Sequence, residues 1–315
     1  MVFEGRDCNV IPDNVPSDAG IAGAGVLLSS TITATLALGM SASLIFQSFR
    51  RRQPHTSNPN PSVIRRKLLN GYSDQQILVG IGIQSVGLVK SWQLVPYHFF
   101  IIWMLSILSM ATHNATLLAL VSDFRRDRVL RWMRQFLMFV NLALSCVFGV
   151  YVLQSKIRDL PDTLPIACAW TRPSETTNVG GLDVVATVVV IAANVVIFGL
   201  STWYLQSRRQ KYFKAIQLVG IVLMMGTAVG ATVRAYLLSQ AFGSPDVALS
   251  DKGEKTWSFG QLLSMLMLIL PVISVVEIMR GEIAVAPPVL DDDVEEDRQQ
   301  LYAGNQSSDG IELKR

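Results

Sequence analysis

The residues best suited to chemistry in this chain of 315 are two histidines, His98 and His113, in a stretch (98–121) free of Lys, Arg, Asp and Glu. Ser106, Ser109, Thr112, Asn114 and Thr116 share that stretch. On one helix a spacing of 15 positions sets the two rings about 60° apart in phase and about 22 Å apart along the axis. They can line one face but cannot share a metal ion. A catalytic zinc normally takes three protein ligands, and the remaining histidine, His55, lies in a Pro- and Asn-rich linker (53–62), so no metal site and no cofactor are expected. As single imidazole and carboxamide groups, His98, His113, Asn114 and Asn141 are the candidate ligand-binding residues, lining a pocket within a helical bundle. Hydrogen bonding between helices is the competing use of the same groups.

Acid–base catalysis, as in a cyclase or isomerase of a lipophilic intermediate, needs carboxyl groups poised in a cavity. Asp74, Asp183 and Glu277 are the candidates, and each is expected at the end of an apolar stretch. The run Asp291-Asp292-Asp293-Val294-Glu295-Glu296-Asp297 has the composition of an aspartate-rich metal motif. It stands in a polar segment with little apolar surface, where a solvated acidic tail is expected. The catalytic residues are therefore unknown from the sequence. Three cysteines permit one bridge on the outer side, Cys8 to Cys168, with Cys146 inside an apolar stretch.

The elements that must position these residues follow from composition. Half the residues are hydrophobic and 16% are charged, with the apolar ones gathered into runs near the roughly 20 residues that cross a bilayer. Seven such stretches are read at 21–46, 77–95, 98–121, 136–153, 184–205, 215–238 and 257–276. The second is the weakest, because Gly80, Gly82, Gly87 and Lys90 interrupt it. The fold class is all-α, a polytopic membrane protein of seven transmembrane helices.

Charge supports the count and sets the orientation. Arg50, Arg51, Arg52, Arg65, Arg66 and Lys67 follow the first stretch, Arg125, Arg126, Arg128, Arg131 and Arg134 the third, and Arg208, Arg209, Lys211 and Lys214 the fifth. Basic short loops stay cytoplasmic, which places the N-terminus outside and the C-terminus inside. Removing the second stretch would scatter these clusters over both sides. Residues 1–20 are read as an extracytoplasmic tail without a basic leader, 21–280 as the membrane domain, and 281–315 as a disordered acidic cytoplasmic tail. The expected partners are the lipid bilayer, a small lipophilic ligand and a cytoplasmic protein, with no nucleic acid. Insertion through the endoplasmic reticulum is expected, and the final membrane is open.

A receptor or sensor reading rests on topology alone. Asp123-Phe124-Arg125-Arg126 after the third stretch lacks the spacing of the receptor signature, and the seventh has Pro271 without an Asn-Pro-x-x-Tyr pattern. Ser73-Asp74-Gln75-Gln76, Val95-Pro96-Tyr97-His98-Phe99, Ala111-Thr112-His113-Asn114-Ala115-Thr116-Leu117 and the segment 14–25 carry a different likeness. In these the chain resembles a large, largely uncharacterised group of seven-span integral membrane proteins of filamentous fungi. That resemblance implies seven spans, an outer N-terminal tail, and an accessory, sensory or catalytic part in specialised-metabolite production.

Overall fold

A backbone that crosses hydrocarbon must satisfy its own N–H and C=O groups, and a helix does so within one segment. The computed structural model describes residues 8–50, 61–126, 128–171, 181–206 and 213–280. These are helical apart from turns and short loops, with no named strand among them. The acidic tail, most of the 53–62 linker and the cluster at Arg208, Arg209 and Lys211 lie outside the described residues.

Helix α1 (Ala19–Ala22) is a single turn capped by the Asp18 carboxylate. After it come α2 (Ala24–Arg50), α3 (Pro61–Val89), α4 (Pro96–Ala119), α5 (Val121–Arg126), α6 (Arg128–Ile157), α7 (Leu182–Gln206), α8 (Phe213–Leu238), α9 (Phe259–Leu266) and α10 (Leu270–Met279). Between α9 and α10 the backbone tightens into a 3-10 turn at Met267–Ile269. Pro271 explains the break, since its ring removes a backbone donor and crowds the preceding turn.

Six helical segments, within 19–49, 96–119, 131–157, 183–206, 214–238 and 253–277, are long and apolar enough to cross a bilayer. Helix α3 is not among them, although it has 29 residues. It carries Arg65, Arg66, Lys67, Asn70, Ser73 and Asp74 in its first half. The expected boundaries of the second stretch change accordingly. The helix begins at Pro61, a residue suited to a first helical position, and ends at Val89. Residues 90–94 form a turn in which the Gln93 and Leu94 N–H groups donate to Lys90 O. Pro96 then starts α4 and holds Val95 extended, with φ −90° and ψ 165°. Asp74, expected at a span end, lies well inside α3, and Arg131 and Arg134, expected in a loop, belong to α6.

Helix α4 is the centre of the bundle. It packs against α2, α3, α6, α7 and α8, while α9 lies on α2 and α10 on α3. Nearly every α4 residue from His98 to Leu118 is buried. The outer helices have the opposite pattern: α7 exposes Val185, Val189, Val196 and Leu200, and α8 exposes Val219, Val222, Val229 and Leu237. Apolar surface outside and hydroxyl, imidazole and amide groups inside is the arrangement that hydrocarbon favours over water.

Two glycines illustrate close approaches between helices. A Cβ on Gly87 would sit 2.5 Å from Ile102 Cδ1 and 2.8 Å from Phe148 Cζ, so α3 can reach the α4–α6 seam only without a side chain there. Gly25 does the same between α2 and α9, where a Cβ would lie 2.6 Å from Gln261 Cβ. The Gly25 N–H also donates to Gln261 Oε1 at 3.0 Å.

At one end of the bundle the loops fold together under an N-terminal strap. Cys8 and Cys168 are joined in a disulfide with Cα atoms 5.7 Å apart, as the sequence suggested. Val15 pairs with the loop before α9, its N–H donating to Ala248 O at 3.1 Å and its carbonyl accepting from Ser250 N at 2.8 Å. Lys90 Nζ lies 2.7 Å from Asp18 Oδ2, and the Ser17 hydroxyl donates to the Asp251 carboxylate. The connection after α6 docks on the same end, with Ile166 N donating to Leu94 O at 2.8 Å. The described basic residues Arg65, Arg66, Lys67 and Arg134 belong to the opposite end.

Candidate functional site

The polar residues of α4 are shared among three levels of the bundle. At the disulfide end, Tyr97 donates its hydroxyl to Glu254 Oε2 at 2.6 Å and accepts from the Gln240 N–H at 2.9 Å. His98 Nε2 lies 3.1 Å from Glu254 Oε1. Glu254 comes from a 3-10 turn (Gly253–Lys255) and is fully buried, as is His98 nearly so. A buried carboxylate is tolerated when its lone pairs are met, and this one is held by two side chains of the first α4 turn. The contact pins the loop between α8 and α9 onto the central helix.

At mid-height the groups pair between helices. Gln84 of α3 donates to Asn141 Oδ1 of α6 at 2.6 Å and to its own Gly80 carbonyl at 3.0 Å. Ser109 donates to Gln76 O at 3.1 Å, and the Ser106 and Ser145 hydroxyls are 2.8 Å apart. These bonds tie α3, α4 and α6 to one another. Asn114, next to His113 and so nearer the basic end, is buried with its Oδ1 without a partner among the described residues.

At the basic end the polar groups surround a cavity. His113 Nδ1 lies 2.8 Å from Ser73 Oγ. One turn round, Arg134 Nη2 meets Asp74 Oδ2 at 2.6 Å and Nη1 donates to Asn70 Oδ1 at 3.0 Å. The guanidinium also stands 4.8 Å above the Phe124 ring. Ser73, Asp74, His113, Arg131, Arg134 and Gln135 line the cavity with Ile77, Leu137, Met138 and Leu205 among the apolar walls. Its volume is about 20 Å³, room for a water molecule or an atom-sized guest. Four polar atoms on these side chains have no partner among the described residues, each enclosed by protein rather than open to the cavity: His113 Nε2, Arg134 Nε, Gln135 Nε2 and Gln135 Oε1.

A serine bonded to a histidine suggests a nucleophile, but the arrangement lacks the other parts. A working Ser–His pair needs a third group orienting the ring and space for an acyl carbon. Among the described residues nothing bonds His113 Nε2, and Asp74 is engaged by Arg134. What the geometry can do is hold a small polar guest against several fixed dipoles. No group of three His, Cys, Asp or Glu is close enough to hold a metal ion among the described residues.

The four residues expected to share a pocket are thus distributed. His98 is bonded at one end and Asn141 at mid-height, while His113 and Asn114 lie towards the other end, where His113 is the one of the four that lines the cavity. Ser73, Arg134 and Gln135 were missed as site residues because they stand at the edges of apolar stretches, where polar residues are ordinary. Glu254 was missed because one acid in a short loop carries no signal of the helix it will meet.

The lipid-facing exterior and the six apolar rods define the class, a helical multi-pass membrane protein. No family model matches the chain, and no curated protein or solved structure matches it.

Proposed function

We propose that this is a seven-span membrane protein, N-terminus outside and C-terminus cytoplasmic, that acts as a ligand-binding component through the cavity beside His113. The observation that carries the binding reading is the cavity itself, which Ser73, Asp74, His113, Arg131, Arg134 and Gln135 line beside apolar walls. Polar groups at membrane depth are functional candidates by default. The seventh span in this reading is α3. Its support is that the Ser73, Asp74 and Gln84 side chains find partners on α4, α6 or α3 itself, so a helix too polar for lipid is shielded by its neighbours. The resemblance to the fungal seven-span group supports a ligand drawn from specialised metabolism, with an accessory, sensory or catalytic part for the protein.

The test uses the full chain purified in neutral-lipid nanodiscs and exposed to a metabolite extract of its own cells. The expected result is a fraction that raises the melting temperature of the wild type and not of Gln135→Leu. Equal behaviour of the two proteins towards every fraction would overturn the binding reading. A tag inserted within 122–130 and reached by antibody on intact cells would overturn the orientation.

A further inference from the structure

We propose that the acidic run Asp291 to Asp297 docks on the basic end of its own chain's bundle and covers it. The inference goes beyond the ligand reading and does not rest on it, since neither the His113 cavity nor a metabolite takes part in the contact. Three observations converge on it.

The first is a surplus of cations gathered by several helices at the end away from the disulfide. Arg65 of α3 donates to Ser43 Oγ at 3.3 Å and to Gln47 Oε1 at 2.9 Å, both near the end of α2. Arg66 meets Asp123 of α5 at 2.6 Å, and Arg134 of α6 meets Asp74 at 2.6 Å. Lys214 of α8 stands 5.9 Å from the centre of the Phe49 ring of α2. Lys67, Arg131, Lys214 and Arg280 make no ion pair with a described residue. Lys67, Lys214 and Arg280 are exposed and Arg131 is half-buried. Asp74 and Asp123 are already engaged, so among the described acids at this end only Glu277 stands outside an ion pair. A surface with such an excess carries a positive potential that draws an acidic segment.

The second is where α10 ends. Its Pro271 packs on α3 at Gly71, where a Cβ would lie 2.9 Å from Pro271 Cβ. The rise of about 1.5 Å per residue carries Met279 about 12 Å beyond that contact, alongside the turn holding Arg65, Arg66 and Lys67. The segment that follows Arg280 therefore leaves the bundle beside these cations.

The third is the composition and reach of that segment. Residues 281–315 contain nine Asp and Glu against three Lys and Arg, and six of the acids stand in 291–297. From Arg280 to Asp291 the chain can span about 36–40 Å at full stretch. Neighbouring helix axes are about 8–10 Å apart, and α3, α2 and α8 follow one another away from α10, so Lys67 and Lys214 are both within reach. A short tether supplies an effective concentration in the millimolar range. An acidic partner protein arriving from solution has to displace the tail, which makes it an internal competitor for this surface.

Carbodiimide coupling tests the contact, because it joins a carboxylate to an amine that touches it. The full chain is placed one copy per disc in phosphatidylcholine nanodiscs, coupled, digested and read by mass spectrometry. Amides from 291–297 to Lys67 and Lys214 are expected, with yields about tenfold lower at 1 M salt, where the Debye length is about 3 Å. Lys214→Gln should remove its own product and keep the one at Lys67. Products at neither lysine, yields indifferent to salt, or equal yields at Lys90, Lys252 and Lys255 of the other end would overturn the docking. In discs carrying phosphatidylglycerol, which has no amine or carboxylate to react, persistence of the products supports the tail as occupant. Their loss there would make the anionic membrane the occupant and overturn it.

Discussion

Replacing Arg134 by Met and Asp74 by Asn, singly and together, asks how much of the hold on α3 is charge. The two groups are 2.6 Å apart, and their side chains are 13% and 51% exposed. Breaking a buried pair costs about 3–5 kcal/mol, while an exposed pair is worth about 0.2–1 kcal/mol. With one partner enclosed and the other half-open, a coupling energy of about 1–2 kcal/mol is expected. Arg134 loses more than this pair, since it also donates to Asn70 and covers Phe124, each contact adding about 1 kcal/mol. Arg134→Met should therefore cost about 3–4 kcal/mol and Asp74→Asn about 1–2 kcal/mol. The double variant should fall short of the sum by the coupling. Unfolding in mixed micelles with rising SDS, followed by tryptophan fluorescence, gives the four free energies. Additivity within about 0.3 kcal/mol would refute the charge account and leave α3 held by packing and by the Gln84–Asn141 bond.

Three further outcomes test other parts of the structure. Gly25→Val should cost about 1–3 kcal/mol by pushing α9 off α2, while Gly39→Ala, with nothing within 4 Å of the new Cβ, should leave the same melting curve unchanged. Cys8→Ser opens a disulfide that spans a sequence separation of 160, an entropic effect of up to about 5 kcal/mol; the wild type should lose thermal stability on reduction and the variant should not respond. Asp251 has its carboxyl held below the usual range by the hydrogen bonds from Ser17 and Gly253. A group depressed in the folded state adds stability above its unfolded value, and that contribution disappears as pH falls through the folded one. Hydrogen exchange at the Val15 amide should therefore quicken as pH drops below about 4, beyond the intrinsic rate change, and Asp251→Asn should flatten that dependence.

Much of the architecture was legible because lipid imposes simple rules. Apolar runs at 98–121, 184–205 and 215–238, the last with Arg234 as its one charge, can be little other than helices, and α4, α7 and α8 occupy them. Reading the Cys8–Cys168 pairing required only that both residues lie on one side of the alternating loops. The second stretch resisted because its polarity argues against lipid, and sequence alone cannot show that Asp74 has an arginine from α6 beside it. Span boundaries failed for a related reason. Arg65 to Lys67 and Arg134 read as loop charges, yet basic side chains lie on terminal helix turns when partners such as Gln47, Asp123 or Asp74 are within reach.

The sequence by itself determined that the chain is helical and membrane-bound, and that the third stretch is where polar chemistry collects. It could do so because hydrophobicity and side-chain type are properties of residues, additive along the chain. Only the tertiary structure decided that α4 is the enclosed centre and that His98 and His113 serve opposite ends. It also decided that Gln135, Arg134 and Ser73 meet His113 around one cavity. Those facts depend on which helix stands beside which, and that is fixed by close approaches such as Gly87 on Phe148 and Gly25 on Gln261, contacts between residues far apart in the chain whose spacing encodes nothing about one another.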